Sequence, residues 1–177
     1  MCIRDSVVIS SGTWDVVTPP DLDPHVFKKA MEVNFMGVIN VLAKVVPDMM
    51  KRGKGQIAII SSVAGYRGLP KAAAYGSTKA ALINLAESLH PELAESGVTL
   101  SIVNPGFVDT PMTAVNEFPM PFLMPVDQAA ERLLKGLERK HYEITFPRRF
   151  TWIMKLLRLL PNVVYLWLVR RFVLRPE

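Results

Sequence analysis

The chain has 177 residues, half of them hydrophobic, and a formal net charge of +5. That length suits one domain of ordinary size with a substantial core. The only cysteine, Cys2, lies within the first six residues, so disulfides, thiolate catalysis and cysteine-ligated zinc are excluded for the remainder. The three histidines, His25, His90 and His141, are scattered, which favours surface or capping positions over a metal site.

Residues 1–6 differ from the rest of the chain. Their sequence resembles the translation of a transposon-type sequencing adapter and has neither helical nor strand periodicity. We therefore expect no structural element there, and we expect the authentic sequence to begin at Val7, in the middle of a gene. No signal peptide is visible, and a truncated amino terminus could not show one.

The following residues predict a strand and a long helix. Residues 7–9 are a short apolar run that breaks at Ser10 and Gly12, as expected of a buried parallel strand that ends in a turn. After a loop, Asp23-Pro24 is a favourable helix start. Apolar residues then recur at helical spacing up to Gly53, which predicts a mostly buried helix.

The middle of the chain predicts a second strand and helix. Residues 56–60 are almost continuously apolar, which is typical of a strand covered by helices on both faces. Ser61 and Ser62 end this strand, and Ser61 is expected to be a structural turn residue. The alanine-rich residues 72–96 predict a long helix that ends at Gly97.

This second helix carries Tyr75 and Lys79 four positions apart. Residues at that spacing are neighbours on one helix face. A lysine ammonium beside the phenol would favour the phenolate and lower the pKa of Tyr75 towards working pH. Tyr75 is therefore predicted to act as a general acid and base, although the bare motif is more often a solvated surface pair.

The last third predicts a strand at 98–103, and Pro105-Gly106 then turns at its carboxyl end, where doubly wound sheets bind ligands. Residues 114–125 mix methionines, aromatics and prolines, which suits either an adaptable apolar pocket or a structural loop. Residues 126–140 predict a helix, and residues 142–146 predict the closing strand.

Residues 147–177 form a basic tail. They hold seven basic residues and one acidic residue, a net charge of +6, whereas residues 1–146 carry −1. The pattern predicts an amphipathic helix broken at Pro161 and a second short apolar helix, neither of them long enough to span a membrane. Binding to an anionic membrane surface and covering of the substrate cleft or a dimer contact remain equally open. Nucleic acid binding is disfavoured, because the basic residues lie among large aliphatic residues.

Four motifs share the order and spacing of a known family. Asn34 lies in the first long helix, Ser62 at the mouth of the second strand, Tyr75 and Lys79 on the next helix, and a Pro-Gly turn follows the third strand. From about Val7 to Phe146 the chain resembles the classical short-chain dehydrogenase/reductase family. The resemblance implies an α/β fold with a Rossmann-like doubly wound parallel sheet, of which only the carboxyl-terminal portion is present and the first βαβ half is missing, plus the basic amphipathic helical tail.

The resemblance also implies roles for individual residues. Tyr75 would be the acid and base, Lys79 its pKa modulator and a ribose ligand, Ser62 the group that polarises the substrate, and Asn34 a residue that distorts its helix and anchors a water. The implied cofactor-binding residues are Gly12, Asn34, Tyr75, Lys79, Pro105, Gly106, Val108 and Thr110. The implied substrate contacts are Ser62, Phe107 and Met112, with residues 114–125 as a lid. Ser10 stands where the family has asparagine, so support of the strand from that asparagine is in doubt.

The implied activity is NAD(P)-dependent interconversion of an alcohol and a carbonyl on a hydrophobic, lipid-like substrate, with no choice between NAD and NADP. No glycine-rich phosphate-binding turn occurs in the sequence, so the 177 residues alone are expected to bind NAD(P)H weakly and to be inactive. The alternative is a truncated, non-catalytic module that binds a membrane surface or dimerises. A homo-oligomer in the cytoplasm is implied, with peripheral contact at the inner face of the membrane left open.

Overall fold

The computed structural model describes residues 6–116 and 118–174. Within these residues, four strands, all parallel, form one sheet in the order β1, β2, β3, β4. Their bounds are β1 (Ser6–Ile9), β2 (Gly55–Ile60), β3 (Val98–Pro105) and β4 (Glu143–Phe146). The expectation for residues 1–5 lies outside the described residues, whereas Ser6 forms the first position of β1, opposite Gln56.

Helices follow each strand, and all of them except the short α4 lie where the sequence predicted a helix. Their bounds are α1 (Pro24–Met31), α2 (Gly37–Arg52), α3 (Ala73–Glu95), α4 (Pro111–Ala114), α5 (Val126–Glu138), α6 (Arg148–Leu159) and α7 (Asn162–Phe172). Asp23 caps α1 by accepting a hydrogen bond from the His25 N–H. Gly53 ends α2 in the left-handed conformation, with φ at 65°.

The sheet is covered on both faces, which confirms the predicted Rossmann-like α/β fold. Along β2, Ile57 and Ile59 face a core shared with α2, α3 and α6, whereas Ala58 faces the core under α5. The two sets alternate because successive side chains of a strand point to opposite faces. Buried apolar side chains therefore line both faces, as expected of a parallel sheet that is covered by helices on both sides.

The predicted long helix is continuous from Pro24 to Arg52, but its middle is not α-helical. Residues Glu32–Met36 form a π-helical turn between α1 and α2, and Asn34 lies in its centre, fully buried. Such turns are frequent at functional sites. The expected local distortion at Asn34 is therefore confirmed.

The tail folds onto the sheet as two helices that meet at Pro161, as predicted. Met154 of α6 belongs to the same core cluster as Ile57 and Leu82, so the tail shares the main core. Tyr165 of α7 is buried, and its hydroxyl donates to the Gly68 carbonyl at 2.6 Å. The sequence boundary after Phe146 coincides with the end of β4, yet the tail is part of the packed domain.

The stretch Pro24–Arg52 is long and apolar enough to cross a membrane by length and composition alone. Its buried positions, Ala30, Asn34, Val38, Leu42 and Met49, face the rest of the fold. A core helix of a soluble protein passes the same test, so this finding is weak evidence for a span.

Candidate active site

Several of the predicted site residues meet at the carboxyl edge of the sheet, beside the turn after β1. A Cβ atom placed on Gly12 would lie 3.8 Å from Asn34 Oδ1, 3.8 Å from Lys79 Nζ and 3.9 Å from Met112 Cε. These four residues come from different parts of the sequence, and only the crossover connections of a parallel sheet bring them to one edge.

Lys79 is buried, with 3% of its surface exposed, and its ammonium is fixed at the end of β2. Nζ donates a hydrogen bond to the Ile60 carbonyl at 2.9 Å and lies 5.4 Å from the centroid of the Tyr75 ring. Burial lowers the pKa of Lys79 to about 8, because desolvation disfavours the charged form. The group therefore titrates close to physiological pH.

The pKa of Tyr75 differs from the expectation. Burial raises the pKa of the phenol, and a hydrogen bond with Ser62 opposes that rise without overcoming it. The predicted lowering by Lys79 is wrong for the chain by itself, because the ammonium donates to Ile60 and the phenol is desolvated. Tyr75 is thus held in its protonated, proton-donating form.

Ser62 lies at the mouth of β2 and begins a short 3₁₀ turn, Val63–Gly65. Its hydroxyl oxygen accepts a hydrogen bond from the Ala64 N–H at 3.1 Å, and the same hydroxyl group interacts with the Tyr75 phenol. The neighbouring Ser61 is buried and donates to the Lys79 carbonyl at 2.8 Å. Ser61 is therefore structural, as predicted, and it joins the end of β2 to α3.

Gly65 allows the turn after Ser62 to pack directly on α3. A Cβ atom at this position would lie 2.7 Å from the Lys79 carbonyl carbon and 2.8 Å from Ile83 Cδ1. No side chain fits in that space, so only glycine permits this approach. The contact fixes the turn that carries Ser62 against the helix that carries Tyr75 and Lys79.

The Asn34 side chain makes three hydrogen bonds, all to protein groups. Oδ1 accepts from the Thr13 N–H at 2.6 Å, and Nδ2 donates to the Thr13 carbonyl and to Thr78 Oγ1, each at 3.0 Å. Thr78 Oγ1 in turn donates to the Tyr75 carbonyl at 2.7 Å. Asn34 therefore joins the loop after β1 to the backbone of the helix turn that bears Tyr75.

The turn after β3 is shaped by hydrogen bonds around Thr110 and Thr113. Thr113 Oγ1 accepts from the Thr110 N–H at 3.0 Å and donates to the Val108 carbonyl at 2.6 Å. Val108 also bridges to Met124, which closes residues 109–123 into a loop. Pro105 ends β3, and the Gly106 N–H donates to the Phe146 carbonyl at 2.8 Å, so this turn is tied to β4.

Phe107 lies in an aromatic cluster rather than in an open pocket. Its ring stacks on Phe150 of the tail with centroids 5.7 Å apart, and it meets Phe118 edge to face at 6.1 Å. Phe122 approaches Phe150 at 6.1 Å. The lid segment and the start of α6 thus pack together beside the turn after β3.

Sequence reasoning did not single out four residues that shape this site. Trp14 packs edge to face on Tyr75 at 5.3 Å and donates to Asn116 Oδ1 at 3.1 Å. Thr78 and Thr113 hold the backbone beside Tyr75 and Val108, and Phe150 covers Phe107. The spacing of Thr78, one residue before Lys79, was the only available signal. Within residues 6–116 and 118–174, no group of three or more His, Cys, Asp or Glu side chains could hold a metal ion.

A parallel sheet with helices on both faces defines a Rossmann-like protein, and a half-buried tyrosine and a buried lysine lie beside a serine at its carboxyl edge. The comparisons with known proteins identify the family. The family model described as short chain dehydrogenase matches residues 5–118. The chain therefore belongs to the short-chain dehydrogenase family.

Relatives and solved structures agree with this assignment. An "Uncharacterized oxidoreductase" of Myxococcus xanthus is 35% identical over 161 residues, which cover 91% of this chain and 64% of that protein. A Drosophila melanogaster "Dehydrogenase/reductase SDR family protein 7-like" is 32% identical and is matched over 49% of its length. The chain thus spans about half to two thirds of the length of these relatives.

Among solved structures, a short chain dehydrogenase/reductase family protein is 25% identical with a TM-score of 0.71, covering 80% of this chain and 65% of that one. A short-chain dehydrogenase from Sphingobium yanoikuyae, in complex with NADPH, has a TM-score of 0.75 at 22% identity and covers 84% of this chain and 61% of that one. The second likeness concerns the fold alone.

Proposed function

We propose that this chain carries the catalytic residues of an NAD(P)-dependent oxidoreductase that interconverts an alcohol and a carbonyl. The observation that carries the proposal is the convergence of the Tyr75 phenol, the Ser62 hydroxyl and the buried Lys79 ammonium at the carboxyl edge of the sheet. Family membership supports the same reaction class. Two structural neighbours, one with NADP bound and one in complex with NADPH, support the cofactor.

The three side chains divide the chemistry between them. Tyr75, protonated because burial raises its pKa, donates its proton to the carbonyl oxygen during reduction. The Ser62 hydroxyl, which lies beside the Tyr75 phenol, would turn its proton to that same oxygen and polarise it. Lys79 places a positive charge near the site below about pH 8, and this charge favours the phenolate that forms as the proton leaves. The bound cofactor supplies the hydride.

The residues present fit one half of a nicotinamide cofactor. Gly12 leaves room beside Lys79 and Asn34, so a ribose hydroxyl could approach the ammonium there. The turn formed by Pro105, Gly106, Val108 and Thr110 lies at the carboxyl end of β3, on the same edge of the sheet. The pyrophosphate would need a glycine-rich turn that the sequence lacks.

The test is a comparison of Tyr75→Phe with wild type in the gene product that contains this segment. Loss of the proton donor is expected to lower kcat by about 10²-fold to 10⁴-fold, measured as NADPH or NADH oxidation with a panel of ketones and aldehydes. Tyr165→Phe is the matched control, because this tyrosine bonds to Gly68 in the tail contact. Unchanged turnover in Tyr75→Phe would refute the proposed role.

We propose that the substrate is hydrophobic and small. The support is the apolar cluster of Phe107, Phe118, Phe122 and Phe150 beside the turn after β3, with Met112 next to Gly12 on the site side. A lipid-like substrate is the corresponding expectation. Turnover that rises with the chain length of methyl ketones would support a hydrophobic substrate, and a preference for polar ketones would oppose it.

We also propose that the protein is a cytoplasmic homo-oligomer in which α3 contributes to a subunit interface.

The exposed apolar face of α7 favours a second proposal, contact with an anionic membrane surface. Val163, Leu166, Trp167 and Phe172 are each at least 59% exposed, and Arg170 lies among them. Cosedimentation with phosphatidylglycerol vesicles is expected to fall in Leu166→Ser/Trp167→Ser, while Val126→Ser/Leu134→Ser on α5 should bind as wild type does. Equal sedimentation of all three proteins would overturn this proposal.

A further inference from the structure

A cavity lies on the α3 face of the sheet, beneath the first tail helix. It has a volume of about 420 Å³, within the usual range for small-molecule sites, and is bounded by α3, β3, β4 and α6. Its walls do not include Asn34, Ser62, Tyr75 or Lys79. The cavity is therefore separate from the proposed catalytic edge.

The inner end of the cavity is a polar cluster around Glu143. The carboxylate accepts hydrogen bonds from the Tyr66 hydroxyl, from Asn104 Nδ2 at 3.0 Å and from the Lys155 ammonium. These bonds hold the pKa of Glu143 below its usual value although burial acts in the opposite direction. Both carboxylate oxygens are thus occupied, and the charge is neutralised by Lys155.

Two polar atoms at this end have no partner among the described residues. Asn104 Oδ1 and the Tyr142 hydroxyl oxygen are both buried without a hydrogen bond, and both residues line the cavity. Asn104 is completely buried, so its carbonyl oxygen cannot reach bulk solvent. Burying such groups unpaired is costly, and a native structure normally supplies a partner.

The outer end of the cavity is apolar. Trp152, Leu156 and Leu159 of α6 form its rim, and each is at least 64% exposed although the helix buries Met154 against the core. Large apolar side chains around a polar recess suit a ligand with a polar head and an apolar body. The rim therefore complements the unpaired atoms at the inner end.

We propose that this cavity binds a small, neutral amphipathic molecule whose head group is a hydroxyl. A hydroxyl can donate, as Asn104 Oδ1 requires, and can accept, as the Tyr142 hydroxyl requires, and an apolar chain attached to it suits the rim formed by Trp152 and Leu156. Beyond the paired Glu143 and Lys155, the cavity is lined by the charged residues Glu87 and Arg158, so an anionic head would meet Glu87 and an ammonium would meet Arg158. A neutral head avoids both repulsions.

The test uses Trp152 as an intrinsic reporter in the full chain. The sequence contains three tryptophans, so Trp14→Phe/Trp167→Phe leaves Trp152 alone. In this background, 1-octanol is titrated against octanoate and octylamine while Trp152 fluorescence is recorded. Saturable binding of 1-octanol, tighter than that of both charged probes, is the expected result.

Removing one hydrogen-bonding group then locates the head of the ligand. Tyr142→Phe should weaken 1-octanol binding by about fivefold to tenfold, whereas Tyr165→Phe should leave it unchanged, because the Tyr165 hydroxyl bonds to Gly68. A lack of saturable binding, equal affinity for the three probes, or undiminished binding in Tyr142→Phe would each overturn the proposal. In those cases water would be the partner of the two atoms. The readout does not depend on any catalytic activity.

Discussion

At the scale of single residues, Lys79 shows how the site costs stability. Its ammonium is buried at the edge of the sheet with one carbonyl partner, Ile60. Burial lowers its pKa from 10.5 to about 8, so the folded state binds its proton less tightly than the unfolded state does. The residue that makes Tyr75 chemistry feasible therefore opposes folding at neutral pH.

Lys79→Met is expected to raise the free energy of unfolding at pH 7. Below about pH 8 the folded wild type bears the full cost of burying the charged ammonium, roughly 3 kcal/mol from the pKa difference. The variant gains by losing this cost, but it also loses the hydrogen bond to Ile60, which offsets part of the gain. Between pH 8 and 10.5 only the unfolded lysine binds a proton, so wild-type stability rises relative to the variant. Urea unfolding from pH 7 to 11 measures this.

Lys135→Met is the control for Lys79→Met, since Lys135 is an exposed partner of Glu131 on α5. Its stability difference from wild type should be small and should not depend on pH in this way. If the difference in the free energy of unfolding between Lys79→Met and wild type stays constant from pH 7 to 11, burial does not lower the pKa of Lys79, and the explanation is wrong.

At the scale of elements, the ends of α2 and α3 meet through two glycines. Gly97, between α3 and β3, has φ at 75°, and a Cβ atom on it would lie 2.2 Å from the Gly53 carbonyl oxygen. Gly53 ends α2 with φ at 65° and open space around it. The turns that lead from α2 into β2 and from α3 into β3 can therefore pack against each other only if position 97 has no side chain.

Gly97→Ala is expected to lower the free energy of unfolding by about 3–5 kcal/mol, because it combines a left-handed backbone with a clash against backbone atoms. Gly53→Ala, which is left-handed without a clash, should cost about 1 kcal/mol. Gly68→Ala has nothing within 4 Å and should change stability by less than about 0.5 kcal/mol. Chemical denaturation ranks the three, and equal losses would contradict the steric explanation.

At the scale of the whole molecule, the tail is joined to the domain by packing and by charge. Met154 lies in the main core, and Lys155 pairs with Glu143 of β4. The Arg67 guanidinium, in the loop before α3, contacts two residues of α7: it lies 4.4 Å from the Tyr165 ring centroid and donates to Asn162 Oδ1 at 2.8 Å. The tail is thus held to the loop that follows Ser62.

Lys155→Met is expected to lower stability at neutral pH by about 1–2 kcal/mol, because a half-buried carboxylate loses its counter-charge. The pKa of Glu143 is lowered in the folded state, so its contribution is present above the unfolded pKa of 4.5 and is lost as pH falls through the folded value. The difference from wild type should therefore shrink below pH 4.5 in thermal unfolding. Lys29→Met, in the exposed pair with Asp15, should show almost no loss at either pH.

Cofactor affinity is also a property of the whole molecule. Because the sequence has no glycine-rich phosphate turn, the 177 residues alone should bind NAD(P)H weakly. A fluorescence titration of NADPH measures this, and tight, saturable binding would contradict it. Tyr75 and Lys79 would then be sufficient for cofactor binding without a pyrophosphate site.

The sequence by itself determined the elements and the order in which they occur. Apolar runs predicted β2 and β3, and the spacing of Tyr75 and Lys79 placed both on α3. These features depend on neighbours a few positions away, so periodicity and turn chemistry reveal them.

Only the tertiary structure decided what each side chain meets. The rise in the pKa of Tyr75 comes from burial, and Lys79 donates to Ile60, which local spacing could not show. Phe150 packs on Phe107 although the two residues are more than forty positions apart in the sequence. The cavity beside Glu143 exists because α6 folds back over β4. Desolvation and long-range packing depend on groups distant in sequence, and for that reason the fold had to specify them.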